Sequence, residues 1–391
     1  MRVLLTSQAG SGHWHPLIGI ARALEAAGHE VAFASTPRAC SAIEANGFTC
    51  FPVGRDESDE VLRERRRYLL SLAHADQPAY MVPMIFAGTT VEHSLSDMLA
   101  HGRAWRPAVV IRENLEFAGL LMAEALGLPH AVVEVAAWRP HLHPLAGEAL
   151  DRHRARIGLP SDPDHSSLFR HLLLIPRPPS LLDLSTLPAT AHTIQPLIFD
   201  RSGDEVLPAW VDELPDLPLV YATLGTVFNQ APGVLEAIIE GLRDEPISLI
   251  VTTGRDQDPA TFGPQPPNVH IERYIPQSLL FPRCDVVVTH GGSGTVMAAL
   301  RDGLPMIVIP IAADQPENAR LCAEVGVGRV IEPASRTPEA IREATRDVLE
   351  EPQYRARAEH FRDEIATLPG LDHTVRLIEN LAISGPISPG I

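Results

Sequence analysis

The stretch VVVTHGGSGTVMAALRDGLPMIVIP, residues 286–310, decides the fold. Three valines and a threonine form a short apolar, β-branched run that stops at His290. Two glycines then turn the chain, and a helical pattern of small and apolar residues begins near Ser293 to Thr295. Gly303 and Pro305 punctuate its end before a second β-branched run, PMIVIPI. Runs this apolar suit strands covered on both faces, and two of them joined through a helix have to lie parallel. The stretch therefore predicts a strand–helix–strand unit of a parallel α/β sheet.

The same grammar continues outward on both sides. PLVYATLG (218–225), ISLIVTTG (247–254) and NVHIERYI (268–275) read as strands, and GVLEAIIEGLRD (233–244) as a helix. At the amino end, the strand RVLLTS (2–7) leads through a Gly-rich turn into the helix PLIGIARALEAAG (16–28), followed by the strand EVAFAST (30–36). Pro16 suits a first helical turn and Gly28 a helix stop. PAVVIREN (107–114), EFAGLLMAEALG (116–127) and PHAVVEVA (129–136) continue as strand, helix and strand. Between Arg55 and Pro107 the pattern is less regular. RERRR (63–67) reads as a solvated helix face, and YMVPMIFAG (80–88) as core or as the lining of an apolar pocket. Proline-dense stretches at 173–190 and 212–219 break the pattern, which places an interdomain linker near residues 200–215. The expectation is an α/β protein of two successive doubly wound domains, alike in architecture but without a sequence repeat.

Composition narrows the function. A chain of 391 residues is long enough for two domains. Its net charge of −17 repels phosphate backbones and anionic membrane surfaces, so nucleic acid is excluded as an expected partner. No run reaches the ~18–20 apolar residues of a membrane span, and MRVLLTSQAGSG lacks the apolar core of a signal peptide; a cytoplasmic protein is expected. Cys40, Cys50, Cys284 and Cys322 show no CxxC pair or metal-ligand spacing and are read as buried free thiols. All 32 basic residues are Arg. Schiff-base and P-loop lysine chemistry is therefore excluded, and an anionic ligand has to be held by backbone N–H groups, His and Arg.

Three strand-to-helix turns carry the candidate chemistry. Gly292 and Gly294 allow close backbone approach, the first helical turn offers free N–H groups, and His290, Ser293 and Thr295 add polar atoms; together they suit a phosphate. Asp314 and Gln315, in PIAADQPENA, supply acceptors and donors for sugar hydroxyls, although Asp314 is also a good helix N-cap. TLGTVFN contributes Gly225 and Thr226. At the amino end SGHWHP (11–16) places His13 and His15 in a turn after the first strand. A neutral imidazole there can accept a proton near pH 7.

The run from Tyr274 to Gly328, YIPQSLLFPRCDVVVTHGGSGTVMAALRDGLPMIVIPIAADQPENARLCAEVGVG, resembles the nucleotide-diphospho-sugar signature of the family 1 glycosyltransferases. Within them it is most similar to bacterial enzymes that decorate polyketides and related natural products. GSGHWHPLIGIARAL resembles the family's amino-terminal motif, and the order of elements matches over essentially the whole chain. The resemblance implies a GT-B fold, two Rossmann-like domains facing across a cleft. The acceptor domain would be 1–205 and the nucleotide-sugar domain 206–371, with the amphipathic helix within 372–391 packing back on the first domain.

Carried over, the resemblance assigns the diphosphate to His290 and the turn Gly292, Ser293, Gly294 and Thr295, with Gly225 and Thr226 assisting. It assigns the base to Tyr274, Ile275 and Gln277, and the sugar hydroxyls to Asp314 and Gln315. His13 would be the general base. Its supporting carboxylate is Glu113 where the family commonly has Asp, with Arg112 before it and Glu116 as substitute candidate. Trp14, Met81, Met84, Phe86 and Trp138 are candidate acceptor lining, each equally consistent with ordinary core.

The implied reaction is an inverting, metal-independent transfer to a hydroxyl of an apolar aglycone. The donor would be a TDP-sugar, or alternatively a UDP-sugar, with no further cofactor. A GT-B nucleotide-sugar epimerase and a non-catalytic auxiliary protein are the competing readings, and a homodimer is compatible with all three. The dinucleotide-binding reading is weak, because QAGSGH lacks the full G-x-G-x-x-G and no acid follows the second strand at the required distance.

Overall fold

The computed structural model describes residues 1–200, 205–225, 231–254 and 257–384. The chain divides into two compact units: Met1–Leu197 together with the stretch from Leu368, and Ile198–Thr367. In the first unit, β1 (Arg2–Thr6), β2 (Glu30–Ser35), β3 (Thr49–Pro52), β4 (Val109–Glu113), β5 (His130–Val133), β6 (Leu172–Ile175) and β7 (Ala191–Thr193) form one parallel sheet in the order β3-β2-β1-β4-β5-β6-β7. Leu4 and Leu5, on opposite faces of β1, are both fully buried, as a strand covered by helices on two sides requires. The order reverses between β1 and β4, where Thr6 pairs with Arg112. Ligands of such sheets collect outside the carboxyl ends of the strands at this switch point.

The helix after β1 runs Ser11–Ala26. It starts five residues before the sequence pattern predicted, so His13, His15 and Pro16 lie within the helix and not in a turn. Gly10, in extended conformation, caps it without a side-chain bond. Gly and His are weak helix formers, and the first turn is secured by tertiary contacts instead: Trp14 is buried and His13 is held by a carboxylate. At the far end Gly28 takes φ +85° and its N–H bonds to the Glu25 carbonyl, while the His29 N–H reaches back to Leu24. This is the left-handed glycine stop expected from the sequence.

The irregular segment consists of a helix Asp59–Ser71, a ten-residue π-helix Met81–Thr90 and a helix Val91–Trp105. Within the π-helix Gly88 is obligatory, because a Cβ there would lie 2.7 Å from the Pro83 carbonyl oxygen. Two of the four cysteines correct the free-thiol reading: Cys40 and Cys50 are joined in a disulfide, while Cys284 and Cys322 are free and buried. The helix Pro37–Glu44 packs on β3 and brings the two Cα atoms to 5.2 Å. Ten residues of separation carry no motif that reveals this.

The carboxyl-terminal helix Leu371–Ser384 belongs to the first unit and packs on Ser11–Ala26. Its Glu379 accepts from His29 at 3.0 Å. Among the described residues no helix is long and apolar enough to cross a membrane.

The second unit repeats the plan. β8 (Leu219–Thr223), β9 (Ser248–Thr252), β10 (Val269–Glu272), β11 (Val286–Thr289), β12 (Met306–Val308) and β13 (Gly328–Val330) form a parallel sheet ordered β10-β9-β8-β11-β12-β13. Its switch point lies between β8 and β11, where Thr223 pairs with Thr289. The opening stretch of the sequence is thus β11, the helix Ser293–Arg301 and β12.

Candidate active site

Each switch point is built around a histidine. In the first unit, β1 delivers the chain through Ser7 and Gln8 to the helix Ser11–Ala26, and β4 ends on Glu113. His13 Nδ1 lies 3.1 Å from Glu113 Oε1. The Leu115 N–H donates to Glu113 Oε2 at 2.7 Å and the Gln8 N–H to Oε1 at 3.4 Å. The carboxylate is fully buried, while the His13 side chain keeps 25% of its surface exposed. A buried carboxylate on Nδ1 fixes the ring's orientation and favours the tautomer whose lone pair sits on Nε2.

Two neighbours that could compete for this role have other functions. Glu116 accepts from Thr6 Oγ1 at 2.5 Å and from the Gly119 N–H at 2.9 Å, so it closes the start of the helix Ala118–Leu126; burial raises its pKa. Arg112, also fully buried, does not clamp the Glu113 carboxylate. Its guanidinium donates to the carbonyls of Glu113, Asn114, Glu116 and Leu168, at 2.5–3.3 Å. Burial lowers its pKa to about 10, which leaves it a cation at neutral pH. Alternation along β4 sends Arg112 and Glu113 to opposite faces.

Of the candidate acceptor lining, Phe86 is close to this pair, its ring centroid 6.0 Å from that of His13. Met84 is exposed and Met81 half-buried on the same π-helix. Trp14 corrects the expectation: only 5% exposed, it is core, edge-on to His15. Trp138 packs on Phe169, and its Nε1–H donates to Thr186 Oγ1 at 2.9 Å.

In the second unit His290 follows β11 and is nearly buried. Its ring lies over two glycines. A Cβ on Gly225 would come within 2.6 Å of His290 Cε1, and one on Gly292 within 2.6 Å of Nε2. Gly225 in addition takes φ +71°. Burial pushes the pKa of His290 down to about 4, so the ring is neutral at pH 7 and donates a single N–H. Gly292 caps the helix Ser293–Arg301 with no side-chain bond, and the N–H groups of Ser293, Gly294 and Thr295 form its first turn.

Ser293 Oγ donates to Asp314 Oδ2 at 2.7 Å, which joins two of the predicted turns. Ala313, before Asp314, adopts a left-handed φ of +60°, a conformation that costs an alanine ~1 kcal/mol or more and turns the loop. Asn318, which the sequence reading missed, is fully buried and ties the same point together. Its amide donates to the Gly291 carbonyl at 2.8 Å and to Ser293 Oγ and Asp314 Oδ2 at 3.1 Å. Its signal was the position one helical turn after Asp314.

Three further donor-site expectations need correction or limits. Gln315 is buried, and its amide oxygen accepts from the Ile311 and Ala312 N–H groups, both at 2.8 Å, so it braces the loop from within. Ile275 is core, leaving its backbone as the part that a ligand can meet. Thr226 lies outside the described residues. Tyr274 is half-exposed, its hydroxyl donating to the Asp200 carbonyl, and Gln277 Nε2 lies 3.4 Å from Thr295 Oγ1.

Comparison with known proteins identifies the family. Residues 22–225 match the amino-terminal domain, and 242–381 the carboxyl-terminal domain, of the erythromycin biosynthesis protein CIII-like family. The chain belongs to this family of natural-product glycosyltransferases. It is 30% identical to tylactone mycaminosyltransferase of Streptomyces fradiae, over 97% of this chain and 92% of that protein. It is 29% identical to 10-deoxymethynolide desosaminyltransferase of Streptomyces venezuelae, over 98% and 97% of the two. The crystal structure of glycosyltransferase VinC in complex with dTDP superimposes with a TM-score of 0.81 at 28% identity, covering 98% of this chain and all of that one. The glycosyltransferase thus has the GT-B fold, and the alternatives of epimerase and auxiliary protein give way to it.

Proposed function

We propose that this glycosyltransferase moves a sugar from a TDP-sugar to a hydroxyl of an apolar polyketide-type aglycone, with inversion at the anomeric carbon and without a metal ion. The observation that carries the reading is the His13–Glu113 pair at the first switch point, with Nδ1 held at 3.1 Å. His13 Nε2 takes the proton of the acceptor hydroxyl as its oxygen attacks the anomeric carbon. The bond to the diphosphate breaks on the opposite face, and Glu113 stabilises the imidazolium that forms. On the second unit, His290 and the first-turn N–H groups of Ser293, Gly294 and Thr295 meet the charge that develops on the departing diphosphate. Asp314, steadied by Ser293 and Asn318, is the side chain proposed to bind sugar hydroxyls. Tyr274 and Gln277, with the backbone of Ile275, are proposed to face the nucleotide base. The TDP preference rests on the relatives' chemistry and on the dTDP complex of VinC.

The test is to incubate the protein with TDP-desosamine or TDP-mycaminose and with 10-deoxymethynolide or tylactone, in the presence of EDTA. The expected outcome is a glycoside whose anomeric coupling constants report inversion. A glycoside of retained configuration, or loss of transfer in EDTA, would overturn the mechanism.

A further inference from the structure

One buried acid of the first unit takes no part in this mechanism. Glu134 directly follows β5 and is 3% exposed; the backbone N–H of Ala136 approaches its carboxylate, but neither oxygen has a partner of ordinary hydrogen-bond geometry. It faces a cavity of about 20 Å³, room for one water-sized group, walled by Val82, Leu115, Phe117, Ala137 and Leu142 with Asn114, Arg139 and His143 as polar neighbours. Burial raises its pKa to about 8, against the pull of Arg139 and Arg177. At neutral pH it is therefore largely a carboxyl group, able to donate one hydrogen bond and accept another. His143 is neutral as well, since burial lowers its pKa to about 4. A buried polar group left unsatisfied costs ~1–3 kcal/mol, and natural structures seldom retain one without a use.

The cavity shares two elements with the His13–Glu113 pair. Leu115, one of its walls, donates its N–H to Glu113. Val82, another wall, lies four residues before Phe86 on the π-helix, whose i→i+5 spacing brings residues four or five apart to one face, and Phe86 abuts His13.

We propose that Glu134 is a recognition residue for the acceptor: it hydrogen-bonds a hydroxyl or ketone oxygen of the aglycone other than the oxygen that receives the sugar. The inference rests on the glycosyltransferase reading above. The dimensions of the cavity set the class, since it has room for one oxygen function and none for a ring.

The experiment compares the wild type with Glu134→Met, which fills the space without polarity, and with Glu134→Gln, which restores donor and acceptor. Tylactone and aklavinone serve as probes, titrated directly and assayed for transfer. Glu134→Met is expected to raise the Kd and KM for the aglycone at least tenfold, with kcat and the KM for the TDP-sugar within threefold of wild type. Glu134→Gln is expected to return aglycone affinity to within threefold. Unchanged aglycone affinity in a folded Glu134→Met that still transfers sugar overturns the proposal alone and assigns the cavity to a structural water. A wild type that binds TDP but neither aglycone overturns the acceptor reading and this proposal together.

Discussion

The two switch points occupy the same place in two sheets that share a six-strand order, the first with one strand more, yet their histidines sit in different surroundings. His13 keeps a quarter of its side chain in contact with solvent and leans on a buried carboxylate, the arrangement of a group that is to become positive during a reaction. His290 is nearly buried, rests on the backbone of Gly225 and Gly292, and is held neutral by desolvation. A ring in that state suits a fixed hydrogen-bond donor beside a helix N-terminus better than a proton acceptor. On the proposed reading, one fold used twice separates proton transfer from charge stabilisation by what surrounds each imidazole.

The largest expected effect falls on the first histidine. His13→Ala removes the proposed base and should lower the rate of transfer by about 10²–10⁴-fold in a steady-state assay with TDP-sugar and aglycone. Glu113→Gln keeps the hydrogen bond but not the charge, and a loss of about 10²-fold or more is expected. If Glu113→Gln were to retain full activity, the carboxylate would be structural only.

Next in size is the donor side. Gly292→Ala would set a Cβ 2.6 Å from His290 Nε2 and displace the ring. It should weaken TDP binding about tenfold, or ~1.4 kcal/mol, while the His13–Glu113 pair is untouched. Unaltered TDP affinity in that variant would detach His290 from the diphosphate.

A last effect, on stability and not on turnover, is spread over the acid range. His290 has a folded pKa of about 4 against an ordinary 6.5. Its contribution is therefore fully present above pH 6.5 and is lost as the pH falls towards 4, where the unfolded chain takes up a proton that the folded one refuses. The loss is on the order of 3 kcal/mol at most. Denaturant midpoints measured between pH 7 and 4 should fall less in His290→Gln than in the wild type; equal slopes would place the acid sensitivity elsewhere, with His130 and His143, both lowered by burial, as the next candidates.

The fold was legible because its signals are local: β-branched runs, Gly28 as a helix stop, and Gly-rich turns that only a parallel sheet brings together. The residue pairs were legible only in part. Glu113 could be chosen over Glu116 once the Gly119 N–H and Thr6 hydroxyl were seen to occupy the latter. Trp14, Ile275 and Gln315 were assigned to ligands by their place in a motif, but burial depends on which face a tertiary neighbour covers, and sequence spacing does not report it. The Cys40–Cys50 bond, the π-helix and the carbonyl cage around Arg112 carry no sequence signature. Asn318 was hidden for the opposite reason, since it lies inside a recognised motif and acts through residues already named.

The central claim, that the two histidines divide the work, is tested most directly by calorimetric titration of TDP into His13→Ala and His290→Ala side by side. The expected result is wild-type affinity in the first and at least ~tenfold weaker binding, ~1.4 kcal/mol, in the second. Equal weakening in both variants, or none in His290→Ala, would contradict it.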